Sequence, residues 1–179
     1  LYYNVQSGRP FSLIFGTDMN GDGFATNDLL YLPNDVIIVK NAGSTWTGDP
    51  NEQWNKFLAS AGVTDPASGR IMERYELEEP WVRQMDFSYE LGLPAFGGVR
   101  TSVTADVMNL LNMFDKNAGN VRFVPNQNFL PVTYGGIDSA TGKPIYRERF
   151  ADTIREDAHL STADLRSRWQ ARLGVRVTF

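Results

Sequence analysis

From Trp169 to Phe179 apolar and polar residues alternate without a break. Trp169, Ala171, Leu173, Val175, Val177 and Phe179 hold the odd positions, and Gln170, Arg172, Gly174, Arg176 and Thr178 the even ones. Successive side chains of a strand point to opposite faces, so the segment predicts a strand with one apolar and one polar face. The pattern returns twice. Met85, Phe87, Tyr89, Leu91 and Leu93 oppose Gln84, Asp86, Ser88 and Glu90. Val99, Thr101, Val103, Ala105 and Val107 then oppose Arg100, Ser102, Thr104 and Asp106, and the short Pro94–Gly98 connection makes the pair a hairpin. A looser alternation opens the chain, with Leu1, Tyr3, Val5, Phe11, Leu13 and Phe15 on one side and Ser7-Gly-Arg-Pro10 interrupting it. Four strands are predicted: about 1–15, 84–93, 99–110 and 168–179.

Between them lie two long connections, about 16–83 and 111–167, far beyond ordinary loop lengths. The first contains a helix from Pro50 to about Ala61. Asp49 can cap it, Pro50 suits the first helical position, and Glu52 has the spacing of a capping box. Trp54, Phe57, Leu58 and Ala61 share one face, and Gly62 can end the helix. That aromatic stripe is expected to pack against its own loop. In the second connection, residues 121–124 and 144–150 are candidates for short strands.

These two-faced strands suit a membrane barrel. Residues 169–179 match the length of about 9–11 residues that crosses a bilayer at a tilt. Aromatic residues stand at both ends, as in the girdles of outer-membrane barrels. A terminal strand closing on Phe also resembles the assembly signal of bacterial outer-membrane proteins. If Phe179 lies at the periplasmic side, both long connections fall outside the cell, the known asymmetry of these barrels. The expected fold is therefore all-β: an antiparallel transmembrane β-barrel segment, the last strands of a larger barrel, with two long extracellular loops and a short loop helix. No charged-then-apolar leader is visible, and the chain begins within a strand-like pattern, as the C-terminal piece of something longer would.

A family resemblance points the same way. Ser7-Gly-Arg-Pro-Phe11, Asp18-Met-Asn-Gly-Asp-Gly23, Asn27-Asp28-Leu-Leu-Tyr-Leu-Pro33, Asp106-Val-Met-Asn-Leu-Leu-Asn112 and Trp169–Phe179 together resemble the end of Oar-like TonB-dependent receptors. The resemblance implies an outer-membrane transporter taking up an extracellular ligand through a plugged barrel of about 22 strands. It also implies membrane lipid, an N-terminal plug domain and TonB as partners.

Charge and composition narrow the chemistry. A net charge of -4 and a pI near 5.0 give no nucleic-acid footprint. With no Cys there is neither a disulfide nor a thiolate metal site. With one His and no Gly-rich phosphate loop, no enzyme site emerges, and the protein is not expected to be an enzyme. His159, lone within a long connection, is expected to be a solvated side chain, and the scattered acidic residues a solvated loop surface. Arg100, Arg172 and Arg176 share the polar faces with Asp86, Glu90 and Asp106, which solvation by water explains sufficiently.

One loop stands out. Asp18, Asn20 and Asp22 occupy positions 1, 3 and 5 of a calcium-loop pattern, with Gly23 at position 6 and the Phe24 carbonyl at position 7. Leu29 takes position 12, where an EF-hand needs Glu, and Asp28 sits one place early. The loop is a candidate for a structural Ca2+ site that departs from the EF-hand. Asn-Gly and Asp-Gly also make turns without any metal. The alternative to the transporter is accordingly a secreted, calcium-stabilised β-sandwich used for adhesion or glycan binding.

Overall fold

The computed structural model describes residues 1–179. In chain order the elements are β1 (Tyr2–Gln6), β2 (Pro10–Leu13), β3 (Tyr31–Leu32), β4 (Ile37–Val39), α1 (Pro50–Ser60), β5 (Arg70–Ile71) and β6 (Leu77–Glu78). There follow β7 (Val82–Gly92), β8 (Arg100–Met108), α2 (Leu110–Phe114), β9 (Arg122–Phe123), β10 (Asn128–Phe129) and β11 (Val132–Ile137). The chain ends with β12 (Pro144–Glu148), β13 (Ser161–Thr162), α3 (Asp164–Ser167) and β14 (Gln170–Thr178). They fall into two units. The first comprises Leu1–Gly8, Pro80–Arg122 and Thr162–Phe179; the second comprises Arg9–Glu79 and Phe123–Ser161.

The first unit is built on an antiparallel sheet in the order β1-β7-β8-β14. Register stacks its apolar residues in rows: Phe87, Val107 and Ala171; Tyr89, Ala105 and Leu173; Leu91, Val103 and Val175. Much of this face is open, Leu173 being 81% exposed. On the other face Ser88, Asp106 and Arg172 form a row, and Ser88 Oγ donates to Asp106 at 2.6 Å. Buried Asn109, just past β8, donates through Nδ2 to the carbonyls of Gly119 at 3.0 Å and Ser167 at 2.9 Å. That amide ties three segments of the unit together.

The expected barrel is not formed. The sheet is an open row in which β1 and β14 each have a single neighbour, and nothing closes it. The strand expected over 1–15 is also two strands in two sheets, because the chain turns away at Ser7–Arg9 and β2 pairs with β6 and β10. The residues expected to be extracellular loops supply most of a separate unit with its own core and with parallel strand pairs. Alternation predicts which residues share a face; it does not contain closure. The all-β transmembrane barrel segment, the Oar-like TonB-dependent receptor, the transporter function and the outer-membrane location were expected from alternation and resemblance; the open sheet and the separate mixed unit between its strands correct them. No helix is long and apolar enough to cross a membrane.

In the second unit three short sheets, β10-β2-β6, β11-β12-β4 and β3-β5, surround a single apolar core. Phe11, Leu13 and Phe15 alternate with Ser12 and Ile14, and all five are buried, as in a strand covered on both faces. Helix α1 forms as its sequence requires. Asp49 accepts from Glu52 N at 2.9 Å, Pro50 opens the first turn, and Gly62 follows with φ +95°. The helix buries Trp54, Phe57 and Leu58, each worth about 1.5–3 kcal/mol of transfer free energy. Trp54 stacks on Phe57 at 5.6 Å and meets Tyr146 edge-on at 6.1 Å; Phe15 meets Tyr146 at 5.2 Å.

Three polar residues expected at the surface are instead inside. His159 is buried, stacked on Phe11 at 5.4 Å and edge-on to Phe57 at 6.0 Å. Glu148 is buried and accepts from Trp46 Nε1 at 3.0 Å, Asn41 N at 2.9 Å and Ser44 Oγ. Glu79 is buried beneath Arg9, whose guanidinium donates to both carboxylate oxygens at 3.1 and 3.0 Å, and Val124 N donates at 2.7 Å. Each carboxylate supplies the acceptors that an irregular backbone cannot find in a sheet ladder.

Candidate functional site

The second unit contains an open cleft of about 760 Å³. Its inner wall is aromatic: Phe15 and Tyr146 belong to the core, while Tyr31 and Tyr134 reach the surface. Met19, Asn20, Asp28 and Leu29 border it from the loop after β2. Pro33, Asn34 and Asp35 come from the turn after β3, Ile71 from β5, Ile137 from the end of β11, Pro144 from the start of β12, and Gly142 and Lys143 from the turn between them.

Position follows from pairing. Tyr31 and Ile71 are direct partners in the β3–β5 ladder, so their side chains stand side by side on one face. β4 runs parallel to β12, which brings the turn before β4 next to the turn before β12. There Lys143 forms an ion pair with Asp35, and its hydrogen bond holds the Asp35 carboxyl below the usual carboxylate range. Tyr146 donates its hydroxyl to the Tyr31 carbonyl at 2.8 Å. Burial pushes the Tyr146 phenol well above its ordinary value, so it remains a neutral donor.

The lip from Asp138 to Lys143 is closed on itself. Asp138 N donates to the Lys143 carbonyl at 2.9 Å and Gly142 N to the Asp138 carbonyl at 2.8 Å. The Asp138 carboxylate accepts from Thr141 Oγ1 at 2.6 Å and Thr141 N at 2.8 Å, and these bonds hold its pKa below the usual range.

The candidate calcium loop forms the neighbouring rim. Asp18 accepts from Gly21 N at 2.7 Å and Gly23 N at 2.8 Å, and Asn20 Oδ1 from Asp22 N at 2.9 Å. Asp22 accepts from Phe24 N at 2.8 Å and Asn27 Nδ2 at 2.6 Å, which draws its pKa down. Asp28 closes the loop by accepting from Met19 N at 2.8 Å. Gly21 and Gly23 have φ of +76° and +89°, so the sharp turns need glycine there. Asp18, Asn20, Asp22 and the Phe24 carbonyl make an all-oxygen set of the kind a hard cation takes. Nowhere do three or more His, Asp or Glu side chains converge as a metal group, so the loop's other donors are an amide and a carbonyl.

Of the residues singled out in the sequence, Asn20 and Asp28 line the cleft. Tyr31, Tyr134, Tyr146 and Lys143 were missed, because they come from segments distant in sequence whose pairing no local spacing announces. Known proteins add nothing to this geometry: no family model, curated protein or solved structure matches the chain.

Proposed function

We propose that the second unit is a glycan-binding module of adhesion type, with the tyrosine-walled cleft as its site. The observation that carries this is the cleft's lining: exposed Tyr31 and half-buried Tyr134 above a buried aromatic base, with Asn20, Asn34, Asp35 and Lys143 at its mouth. Ligand sites combine an apolar, largely preformed wall with a few polar groups that fix orientation. Aromatic rings accept the C–H faces of sugars, and amides and carboxylates meet their hydroxyls. The reading assigns binding without chemistry. Asp35 and Lys143 are engaged with each other, and Asp28 with a backbone amide.

In this reading the loop from Asp18 to Asp28 is a calcium-stabilised rim, with Asp18, Asn20, Asp22, the Phe24 carbonyl and Asp28 as its oxygen donors. Calcium would neutralise Asp18 and Asp22 and hold Asn20 in place at the cleft. Calorimetric titration with calcium chloride should give heat that the double variant Asp18→Ala/Asp22→Ala lacks. Equal heats would remove the ion from the proposal. The glycan reading itself is tested on an immobilised glycan array. Retention of at least one glycan, abolished by Tyr31→Ala with Asn34→Ala, is expected; no retention overturns it.

A further inference from the structure

Resting on the glycan reading, we propose that the cleft takes a neutral oligosaccharide of all-equatorial hexopyranose rings, with Tyr31 as its stacking platform. The first argument is charge. Lys143 is the one Lys or Arg among the lining residues, and it is committed to Asp35. A uronate or a sulfated sugar would find no unmatched Lys or Arg. Asp28 is buried and accepts from Met19 N, so an amino sugar would find no accessible unmatched carboxylate either. A charged ligand would have to break the Lys143–Asp35 pair and leave one member without its partner.

The second argument is the shape and chemistry of the wall. Tyr31 is 38% exposed and its ladder partner Ile71 is 63% exposed, so the two make a continuous apolar strip. A ring whose hydroxyls are all equatorial presents only C–H bonds above and below its plane. An axial hydroxyl would be pressed against Ile71 and lose its water without gaining an acceptor. The volume lies in the upper part of the range of about 300–1,000 Å³ typical of ligand sites, which suits several linked rings better than one.

The third argument is preorganisation. The Tyr146 hydroxyl fixes the backbone of Tyr31, and internal bonds fix the lip from Asp138 to Lys143. Little ordering is left for the ligand to impose.

The test is isothermal titration of the whole chain with cellohexaose, β-1,4-mannohexaose, hexagalacturonate and chitosan hexamer. Cellohexaose should bind, mannohexaose at least tenfold more weakly, and the two charged sugars not measurably. Tyr31→Ala should weaken cellohexaose at least tenfold, and Tyr31→Phe should restore it. Because the Tyr146 bond is made to a backbone carbonyl, the variants retain it, and far-ultraviolet circular dichroism checks their fold. Ile71→Ser, on the exposed half of the strip, should weaken cellohexaose several-fold. Tighter binding of a charged sugar, itself lost in Tyr31→Ala, overturns the neutral class while leaving the glycan reading intact. Cellohexaose binding that ignores Tyr31→Ala overturns the platform. If none of the four sugars binds, and the array retains none, both readings fall.

Discussion

Residues 84–93 and 11–15 both place apolar side chains at every second position and meet opposite fates. In β7 the apolar positions Phe87, Tyr89 and Leu91 stay exposed, whereas Phe11, Leu13 and Phe15 are sealed in the core. The difference lies in what the chain can fold over each strand. Around β2 the long connections return with α1, β6 and β10, and their apolar residues close the space. The sheet of the first unit is made instead of strands joined in register, with only β7 and β8 paired on both sides and its apolar face uncovered. Alternation therefore reports that a strand has two unlike faces. It does not report what, if anything, covers the apolar one.

Truncation in the two units should separate them most sharply. Phe57→Ala removes a fully buried ring that touches Trp54, Phe129 and His159, and should cost about 3–5 kcal/mol. Leu173→Ala removes an exposed side chain and should change stability by no more than about 0.5 kcal/mol. Urea unfolding of both variants measures this. Equal losses would mean that the exposed face is covered in solution.

The buried carboxylates give the next largest contrast. Glu148→Ala leaves Trp46 Nε1 and Asn41 N without their acceptor, at about 1–3 kcal/mol for each buried group left unmatched. Glu52→Ala, which breaks only an exposed pair with Lys56, should stay under about 0.5 kcal/mol. Thermal unfolding of the two variants decides whether Glu148 is the anchor its bonds indicate. Smaller still is the helix cap: Asp49→Ala should cost about 1 kcal/mol, with Asp49→Ser recovering most of it.

The features legible in the sequence are those written in local spacing. Helix α1, its cap and its buried stripe follow from Asp49, Pro50, Trp54, Phe57 and Leu58, all within three turns. The hairpin of β7 and β8 follows from two runs of alternation and a short turn. What escaped depends on distant partners. His159 looked solvated because nothing beside it in sequence shows that Phe11 will stack on it. Glu79 and Glu148 looked like surface acids because their donors lie on remote segments. The cleft escaped for the same reason, since Tyr31 meets Tyr146 only through folding of the second unit. Membership of a larger barrel was read from two-faced strands and a resemblance, and strand character does not determine how many strands a sheet has.

The smallest expected effect is local and depends on pH. The Asp22 carboxyl is held below its ordinary value of 3.8 chiefly by the Phe24 amide, with Asn27 adding to it. A carboxyl whose folded pKa lies below the unfolded one favours the folded loop fully above the ordinary value. That contribution is lost as pH falls from about 3.8 through the lower folded value. The Asp22 side chain stands in solvent, so the consequence should be confined to the loop and leave global unfolding unmoved. Amide chemical shifts followed from pH 6 to pH 2 should show Phe24 and Asn27 moving together, at a midpoint below 3.8. In Asp22→Asn the Phe24 shift should no longer titrate, because the amide keeps an acceptor oxygen but has no proton to gain. A Phe24 transition that persists in this variant would mean that Asp22 does not govern the loop.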